Sequence, residues 1–204
     1  MAERVGLYGG SFNPIHSGHL IVARSVAEQL ELDRVILLPS ATPPHKRDAT
    51  LVDPHQRAEM VRLAIAGDPM FDYSDYDLVR EGPSYTIDTV AHFADELPAG
   101  TELFWIIGAD WLAGLGTWRD AEKLVDACTI VTAARSGWDQ PDLSALTERL
   151  GEERIAKLRR FILDTPRIDI SATDIRERGA AGKSIRHLVP EGVRSYIRMF
   201  RLYR

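Results

Sequence analysis

The feature that most constrains the fold is a regular alternation of short apolar runs with longer segments that carry apolar residues at helical spacing. Four runs are rich in β-branched, leucine or aromatic residues, as buried strands are: residues 5–8, 34–38, 103–107 and 129–134. Because a strand, a helical crossover and a second strand form a parallel unit, this order predicts parallel pairing. We therefore expect an α/β protein with a Rossmann-like, doubly wound parallel sheet and helices on both faces.

The other segments fit the same alternation. Asp53 and Pro54 have the pattern of an N-cap and a first-turn proline, so a helix is expected from there to about residue 66. We treat residues 1–204 as one domain with a small helical portion from about residue 171. The remaining predictions are strands at 71–79 and 167–170, a charged helical appendage at 143–163, and helices at 19–30, 84–97, 117–127, from Ser171 onward and at 190–199.

Composition limits the classes of partner. The chain has 204 residues and a net charge of −5, whereas a general nucleic-acid binder is more often basic. No segment approaches the ~18 uninterrupted apolar residues of a membrane span. The single cysteine, Cys128, excludes an intrachain disulfide and a cysteine zinc cluster and fits the reducing cytoplasm. We expect no nucleic-acid or membrane partner, and the sequence is compatible with a homo-oligomer.

The turn after the first predicted strand is unusual in its chemistry. Gly9 and Gly10 would let a ligand approach the backbone, and the helix that follows offers unpaired N–H groups that favour phosphate. His16 and His19 are three residues apart at the helix start and can present their imidazoles toward one point. Two alternatives are a tight turn with incidental histidines and a zinc site, which this spacing disfavours without a third ligand.

The same turn carries a long motif. Residues 10–19, GSFNPIHSGH, resemble the GxFxPxHxGH signature of the nucleotidyltransferase superfamily. The resemblance implies that the HxGH element transfers a nucleotidyl group from a nucleoside triphosphate. A lone HxGH is a weak signal, whereas the ten-residue form is specific.

Further segments narrow the resemblance to the bacterial nicotinate-nucleotide adenylyltransferase family. It extends from residue 5 to about residue 197 and is weakest over residues 139–165. The resemblance implies synthesis of deamido-NAD and pyrophosphate from nicotinate mononucleotide and ATP, in NAD biosynthesis. The segments that carry it are PPHK at 43–46, SYTIDT at 84–89, IGAD at 107–110, Trp118 and ISATDIR at 170–176.

The resemblance also implies roles for individual residues. Those implied to be catalytic are His16, His19, Lys46 and Arg176. Those implied to bind ATP are Gly9, Gly10, Ser11, Phe12, His16, His19, Gly108, Asp110, Arg135, Ser171, Thr173 and Arg176. Those implied to bind nicotinate mononucleotide are Ser11, Lys46, Tyr85, Thr86 and Trp118. No protein ligand set for a metal is expected, and Mg²⁺ is expected to arrive with ATP.

Several of these residues also have a purely structural interpretation. Lys46 fits a solvated loop, Thr86 or Ser84 fits a plain helix cap, and Trp118 fits a core position. Asp88 fits either loop support or a ribose contact. Ser171 and Asp174 have the spacing of a capping box, which is compatible with a phosphate site. Two other tryptophans, Trp105 and Trp111, are assigned to the core.

Two other functions compete with the proposed one. One is another adenylyltransferase of the superfamily, such as the phosphopantetheine enzyme, which would lack the PPHK and SYTIDT segments. The other is a catalytically silent nucleotide-binding module, although all the charged groups that the chemistry needs are present. The Gly182-Lys183-Ser184 run imitates the end of a P-loop, but Glu177 stands where the first glycine is required and no strand precedes it.

Overall fold

The computed structural model describes residues 2–41, 51–135, 138–139 and 141–204 and contains a parallel six-stranded sheet. The strand order is β3-β2-β1-β4-β5-β6, and every neighbouring pair is parallel. This order confirms the Rossmann-like expectation. The strands are Arg4–Gly10 (β1), Arg34–Pro39 (β2), Phe71–Tyr73 (β3), Glu102–Gly108 (β4), Thr129–Arg135 (β5) and Ile162–Thr165 (β6).

Helices fill the connections between these strands. Within the described residues, no helix has the length and apolar character needed to cross a membrane. Short 3-10 turns lie at Ala109–Trp111 and Leu115–Thr117. The helices are Ser17–Gln29 (α1), Pro54–Ile65 (α2), Tyr76–Val79 (α3), Thr86–Glu96 (α4), Ala121–Ala127 (α5), Ser144–Leu150 (α6), Glu152–Arg160 (α7), Ala172–Ala180 (α8) and Glu191–Met199 (α9).

The sheet is buried on both faces, and β4 shows this most clearly. Its side chains alternate, so that Leu103, Trp105 and Ile107 enter one core. Phe104 and Ile106 enter the other core. Helices α4 to α7 cover the first face, and α1, α2, α8 and α9 cover the second. The prediction of helices on both faces is therefore confirmed.

The order of the strands places a crevice at the carboxyl ends of β1 and β4. β1 pairs with β2 on one side and with β4 on the other, so the chain reverses its direction of travel across the sheet between them. In open parallel sheets, ligands bind beyond the carboxyl ends of the strands at such a switch point. Gly9, Gly10 and Gly108 end the two strands that flank it.

The predicted strand at 71–79 is wrong over its second half. Only Phe71–Tyr73 is a strand, and Tyr76–Val79 forms the short helix α3. The Ser74 hydroxyl accepts a hydrogen bond from the Tyr76 N–H at 3.2 Å, which turns the chain out of the extended conformation. Asp77 is then buried, where its carboxylate accepts a bond from the Thr89 hydroxyl at 2.8 Å.

The strand predicted at 167–170 is also wrong, because the edge strand lies earlier, at Ile162–Thr165. The Thr165 hydroxyl donates to the Ala134 carbonyl at 2.9 Å, and Pro166 then lacks the N–H that a continued ladder would need. Residues 143–163 are not a peripheral appendage, since α6 and α7 contribute buried side chains to the first core.

The packing of β1 against β4 can be tested at Gly9 and Gly108, which lie at the carboxyl ends of these strands. A Cβ added at Gly9 would lie 2.7 Å from the Trp105 ring, whereas one added at Gly108 would meet no described residue within 4 Å. Because Trp105 is buried, we expect Gly9→Ala to cost about 1–3 kcal/mol in the free energy of unfolding and Gly108→Ala less than about 0.5 kcal/mol. Urea unfolding of both variants measures this, and equal losses would contradict the packing argument.

Candidate active site

A cavity of about 330 Å³ opens at the carboxyl ends of β1 and β4. It joins three regions that are distant in sequence: the first turn, the start of α4, and the two 3-10 turns after β4. Its size suits a small organic ligand. Its lining comprises Tyr8, Gly9, Gly10, Ser11, Phe12, His19, Ser40, Asp77, Ser84, Tyr85, Thr86, Trp105, Ile106, Ile107, Gly108, Asp110, Trp111, Thr117, Trp118 and Arg119.

An aromatic cluster supports the first turn. The Phe12 ring is buried and meets the edge of Tyr8 at a centroid distance of 5.8 Å and that of His19 at 5.2 Å. The Phe12 backbone has φ of 42°, in the left-handed region that residues other than glycine seldom adopt. The turn therefore keeps a strained conformation that its neighbours must hold in place.

His16 and His19 lie together at the start of α1, as the motif predicts. Their rings are stacked with centroids 3.6 Å apart. The His16 N–H donates to Nδ1 of His19 at 3.2 Å, and the His19 N–H donates to the His16 carbonyl at 3.0 Å. Since Nδ1 of His19 accepts a hydrogen bond, the neutral ring carries its proton on Nε2. His19 lines the cavity and can offer that proton to a ligand oxygen.

His16 has a different environment from His19. Its side chain is only 7% exposed, and it does not line the cavity. Burial lowers the pKa of His16 to about 4, so its imidazole is neutral near pH 7. His16 therefore contacts the His19 ring by stacking and lies behind it relative to the cavity lining.

The start of α4 forms the opposite wall of the cavity. Tyr85 is its N-cap and makes no side-chain capping bond, and Thr86 is the first helical residue. The Ser84 hydroxyl turns away to the Asp77 carbonyl at 3.4 Å, so Ser84 is not the cap. Tyr85 and Thr86 line the cavity, and within the described residues the N-cap of α4 makes no side-chain hydrogen bond, an arrangement that suits a carboxylate.

A charged network holds this wall in position. Arg80 pairs with Asp88 at 3.2 Å and with the buried Asp77 at 3.4 Å, and it donates to the Pro83 carbonyl. Burial raises the pKa of Asp77. Asp88 does not line the cavity, and its pairing with Arg80 fits the loop-support interpretation.

Two tryptophans line the third side of the cavity. Trp118 is half-buried and packs against the first core, and its ring meets Trp111 edge-on at 6.2 Å. The assignment of Trp111 to the core is wrong, since its side chain is exposed at the cavity, whereas Trp105 is buried as expected. The 3-10 turn Ala109–Trp111 directs the ring outward and also places Asp110 on the lining.

The residues predicted near the phosphates lie beside the first turn, outside the cavity lining. Ser171 caps α8 by accepting from the Asp174 N–H at 3.0 Å, as the capping interpretation predicted. Arg176 donates to the Asn13 carbonyl at 2.9 Å and to the Thr173 hydroxyl at 3.1 Å. The structure therefore brings the start of α8 to the turn without placing these side chains in the cavity.

Two predicted site residues fall partly or wholly outside the description. Lys46, with the rest of the PPHK segment, lies outside the described residues. Arg135 is the last residue of β5, at the carboxyl edge of the sheet, but its side chain lies outside the described part of the structure.

Sequence reasoning missed two arginines. Arg119 lines the cavity with its guanidinium 4.7 Å from the Tyr85 ring centroid, and its position next to Trp118 could have identified it. Arg57 is fully buried and donates to the carbonyls of Ser11 at 2.6 Å, Val52 at 2.9 Å and Ala41 at 3.3 Å. The signal for Arg57 was its spacing from Val61 and Ile65 on the apolar side of α2.

Comparison with known proteins identifies relatives along the whole chain. The cytidylyltransferase-like family model matches residues 7–178. A protein of Rubrobacter xylanophilus named "Probable nicotinate-nucleotide adenylyltransferase" is 43% identical over 203 residues, covering 98% of this chain and 92% of the relative. A protein of Dehalococcoides mccartyi with the same name is 38% identical over 200 residues, covering 98% and 97%.

A solved structure shares the fold. Plasmodium falciparum nicotinic acid mononucleotide adenylyltransferase, complexed with NaAD, superposes with a TM-score of 0.74 at 19% identity. The match covers 98% of this chain and 97% of that one. At this identity, the likeness concerns the architecture alone.

The buried state of His16 predicts a pH dependence of stability. Its folded pKa of about 4 lies below the ordinary value of 6.5, so the unfolded chain takes up the proton first as the pH falls. The part of the unfolding free energy that depends on a neutral His16 is fully present above pH 6.5 and is lost as the pH falls toward 4. Between pH 7 and pH 5, wild type should lose about 2 kcal/mol more unfolding free energy than His16→Asn. Urea unfolding at both pH values measures this, and parallel losses would contradict it.

Proposed function

The chain belongs to the cytidylyltransferase-like family and, within it, to the nicotinate-nucleotide adenylyltransferases, and from that membership we propose how its cavity performs the reaction. Nicotinate mononucleotide and ATP give deamido-NAD and pyrophosphate. The observation that carries the proposal is the cavity itself, whose lining combines His19 of the HxGH turn, the start of α4 and the Trp118 side chain.

The chemistry is a direct displacement. A phosphate oxygen of nicotinate mononucleotide attacks the α-phosphorus of ATP, and the bond from that phosphorus to the bridging oxygen of the β-phosphate breaks. The attacking oxygen is already anionic, so the protein needs no nucleophile and no strong base. Its contribution is alignment of the two substrates and stabilisation of charge on the α-phosphoryl oxygens and the leaving group.

His19 is the proposed donor to the α-phosphoryl oxygens. Its Nδ1 accepts from the His16 N–H, so the neutral ring carries its donor proton on Nε2, the atom that we propose meets the ligand. The same wall is lined by Gly9, Gly10 and Ser11. The two glycines have no Cβ, so phosphates can approach the backbone closely. His16 belongs to this proposal as the ring that fixes His19, and its role is positional because it is buried and neutral.

The remaining phosphate contacts are proposed from the start of α8 and from the loop after β2. Arg176, Thr173 and Ser171 stand at a helix N-terminus beside the first turn, where an anion is stabilised. Lys46 is proposed to bridge the phosphates from the loop, as the family resemblance implies, and Arg135 to contact the nucleotide from the end of β5. Mg²⁺ enters as part of the substrate, bound to the ATP phosphates, which are the hard oxygen ligands that it prefers.

The opposite wall is proposed to bind the pyridine mononucleotide. The carboxylate accepts from the first N–H groups of α4 and from the Thr86 hydroxyl, next to Tyr85, while Trp118 stacks on the ring. Arg119 adds a positive charge on the same side. Asp110 and Gly108, at the end of β4, are proposed to meet the ATP ribose, and Phe12 completes the nucleotide side.

One assay separates this function from its two competitors. The protein is mixed with Mg–ATP and either nicotinate mononucleotide, nicotinamide mononucleotide or phosphopantetheine, and pyrophosphate release is measured. Release with nicotinate mononucleotide supports the proposal, release only with phosphopantetheine supports the other adenylyltransferase, and no release with any acceptor supports a silent binding module. We place the reaction in the cytoplasm as part of this proposal, consistent with a chain that has one cysteine.

Replacement of His19 tests the catalytic half of the proposal. We expect His19→Ala to lower kcat by about 10²–10³-fold, because it removes a donor to charge that develops in the transition state. His92→Ala is the matched control, since His92 lies on α4 outside the cavity and pairs with Glu96. Steady-state pyrophosphate release measures both, and a folded His19→Ala protein with near-normal turnover would refute the mechanism.

Replacement of Trp118 tests the acceptor half. Loss of ring stacking should raise KM for nicotinate mononucleotide about tenfold while leaving KM for ATP within a factor of two. Trp138→Ala is the control, because Trp138 packs against the same core but does not line the cavity. If both variants show the same KM for the pyridine nucleotide, Trp118 is a core residue.

A further inference from the structure

The buried side chain and backbone of Asn13 accept hydrogen bonds from three distant parts of the chain. Asn13 follows Phe12 in the first turn and is 4% exposed. Its backbone carbonyl accepts from Arg176 at 2.9 Å, and its side-chain Oδ1 accepts from the Val52 N–H at 3.3 Å and from the Tyr203 hydroxyl at 2.8 Å. The last of these bonds joins residues 190 positions apart in sequence.

Tyr203 reaches Asn13 because the segment after α9 folds back on α8. The chain reverses through Arg201 and Tyr203, which have φ of 52° and 59°, both in the left-handed region. The approach to α8 is close, since a Cβ added at Gly179 would lie 3.0 Å from the Tyr203 carbonyl oxygen. Burial raises the pKa of the Tyr203 phenol, so the hydroxyl is a neutral donor at every working pH.

The residues that these bonds hold are those of the strained turn. Phe12, with φ of 42°, lies between Ser11, whose carbonyl accepts from Arg57, and Asn13. A backbone in this region persists only where its surroundings over-determine it. Because the Phe12 ring packs against His19 at 5.2 Å, a shift of the turn would move the imidazole that meets the α-phosphate.

We propose that Tyr203 is a positioning residue for adenylyl transfer, which acts through Asn13 to hold the Phe12 turn and thereby His19. The inference rests on the proposed function for its kinetic consequence. Tyr203 does not line the cavity, so it touches neither substrate there and affects turnover only through the turn. Sequence position alone gives no reason to connect residue 203 with residue 13.

The test removes one hydroxyl. Tyr203→Phe keeps the ring packing and deletes the bond to Asn13, and Tyr196→Phe is the matched control, since Tyr196 lies on α9 with its ring against Phe200. We expect Tyr203→Phe to lower kcat by about three- to tenfold, the size of one hydrogen bond, with KM for both substrates within about twofold. Turnover is measured well below the thermal midpoint of each variant.

A second readout does not depend on turnover. The His19 ring signal in the proton NMR spectrum, assigned by its absence in His19→Asn, should shift in Tyr203→Phe and stay unchanged in Tyr196→Phe. Wild-type pyrophosphate release reports separately on the proposed function. An unshifted His19 signal in Tyr203→Phe, or a kcat loss that Tyr196→Phe reproduces, would overturn the positioning role and leave Tyr203 as a residue of stability alone.

Discussion

The position of β1 between β2 and β4 is the constraint on which the site depends. β1 pairs in parallel with both neighbours, and the chain reverses its direction across the sheet at this strand. The carboxyl end of β1 therefore borders a crevice. Gly9 and Gly10 end the strand there, and α1 begins a few residues later. The crevice is therefore lined by the Gly9 and Gly10 backbone and by the His19 ring from α1.

The two walls of the cavity are supported in different ways. The first turn is held by hydrogen bonds to neutral backbone and amide oxygens, donated by the Arg57 and Arg176 guanidinium groups and the Tyr203 hydroxyl. The start of α4 is held by charges, through Arg80 and its two carboxylates. The two supports therefore differ in the charge of the acceptor: neutral oxygens in the first turn and carboxylates at the start of α4.

Much of the architecture followed from periodicity. The runs that became β1, β2, β4 and β5 were predicted, because strands buried on both faces are apolar along their length. The edge strands were predicted less well: β3 was placed but extended too far, and β6 was placed too late in the chain. Both are short and carry polar residues, so pairing with a neighbour decides which residues join the sheet. At the site, Trp111 was misassigned because an indole in a 3-10 turn has no periodicity that shows which way it faces.

By itself, the sequence determined the fold class, because that depends on the periodicity of each element. The resemblance of residues 10–19 to a known signature indicated nucleotidyl transfer and placed the candidate site after the first strand. Only the tertiary structure decided that His16 is buried and neutral while His19 meets the cavity, although the two residues are three positions apart. It also decided that Arg57 and Tyr203 support the turn. Burial and hydrogen bonds between distant residues depend on how elements pack, and no local pattern records that.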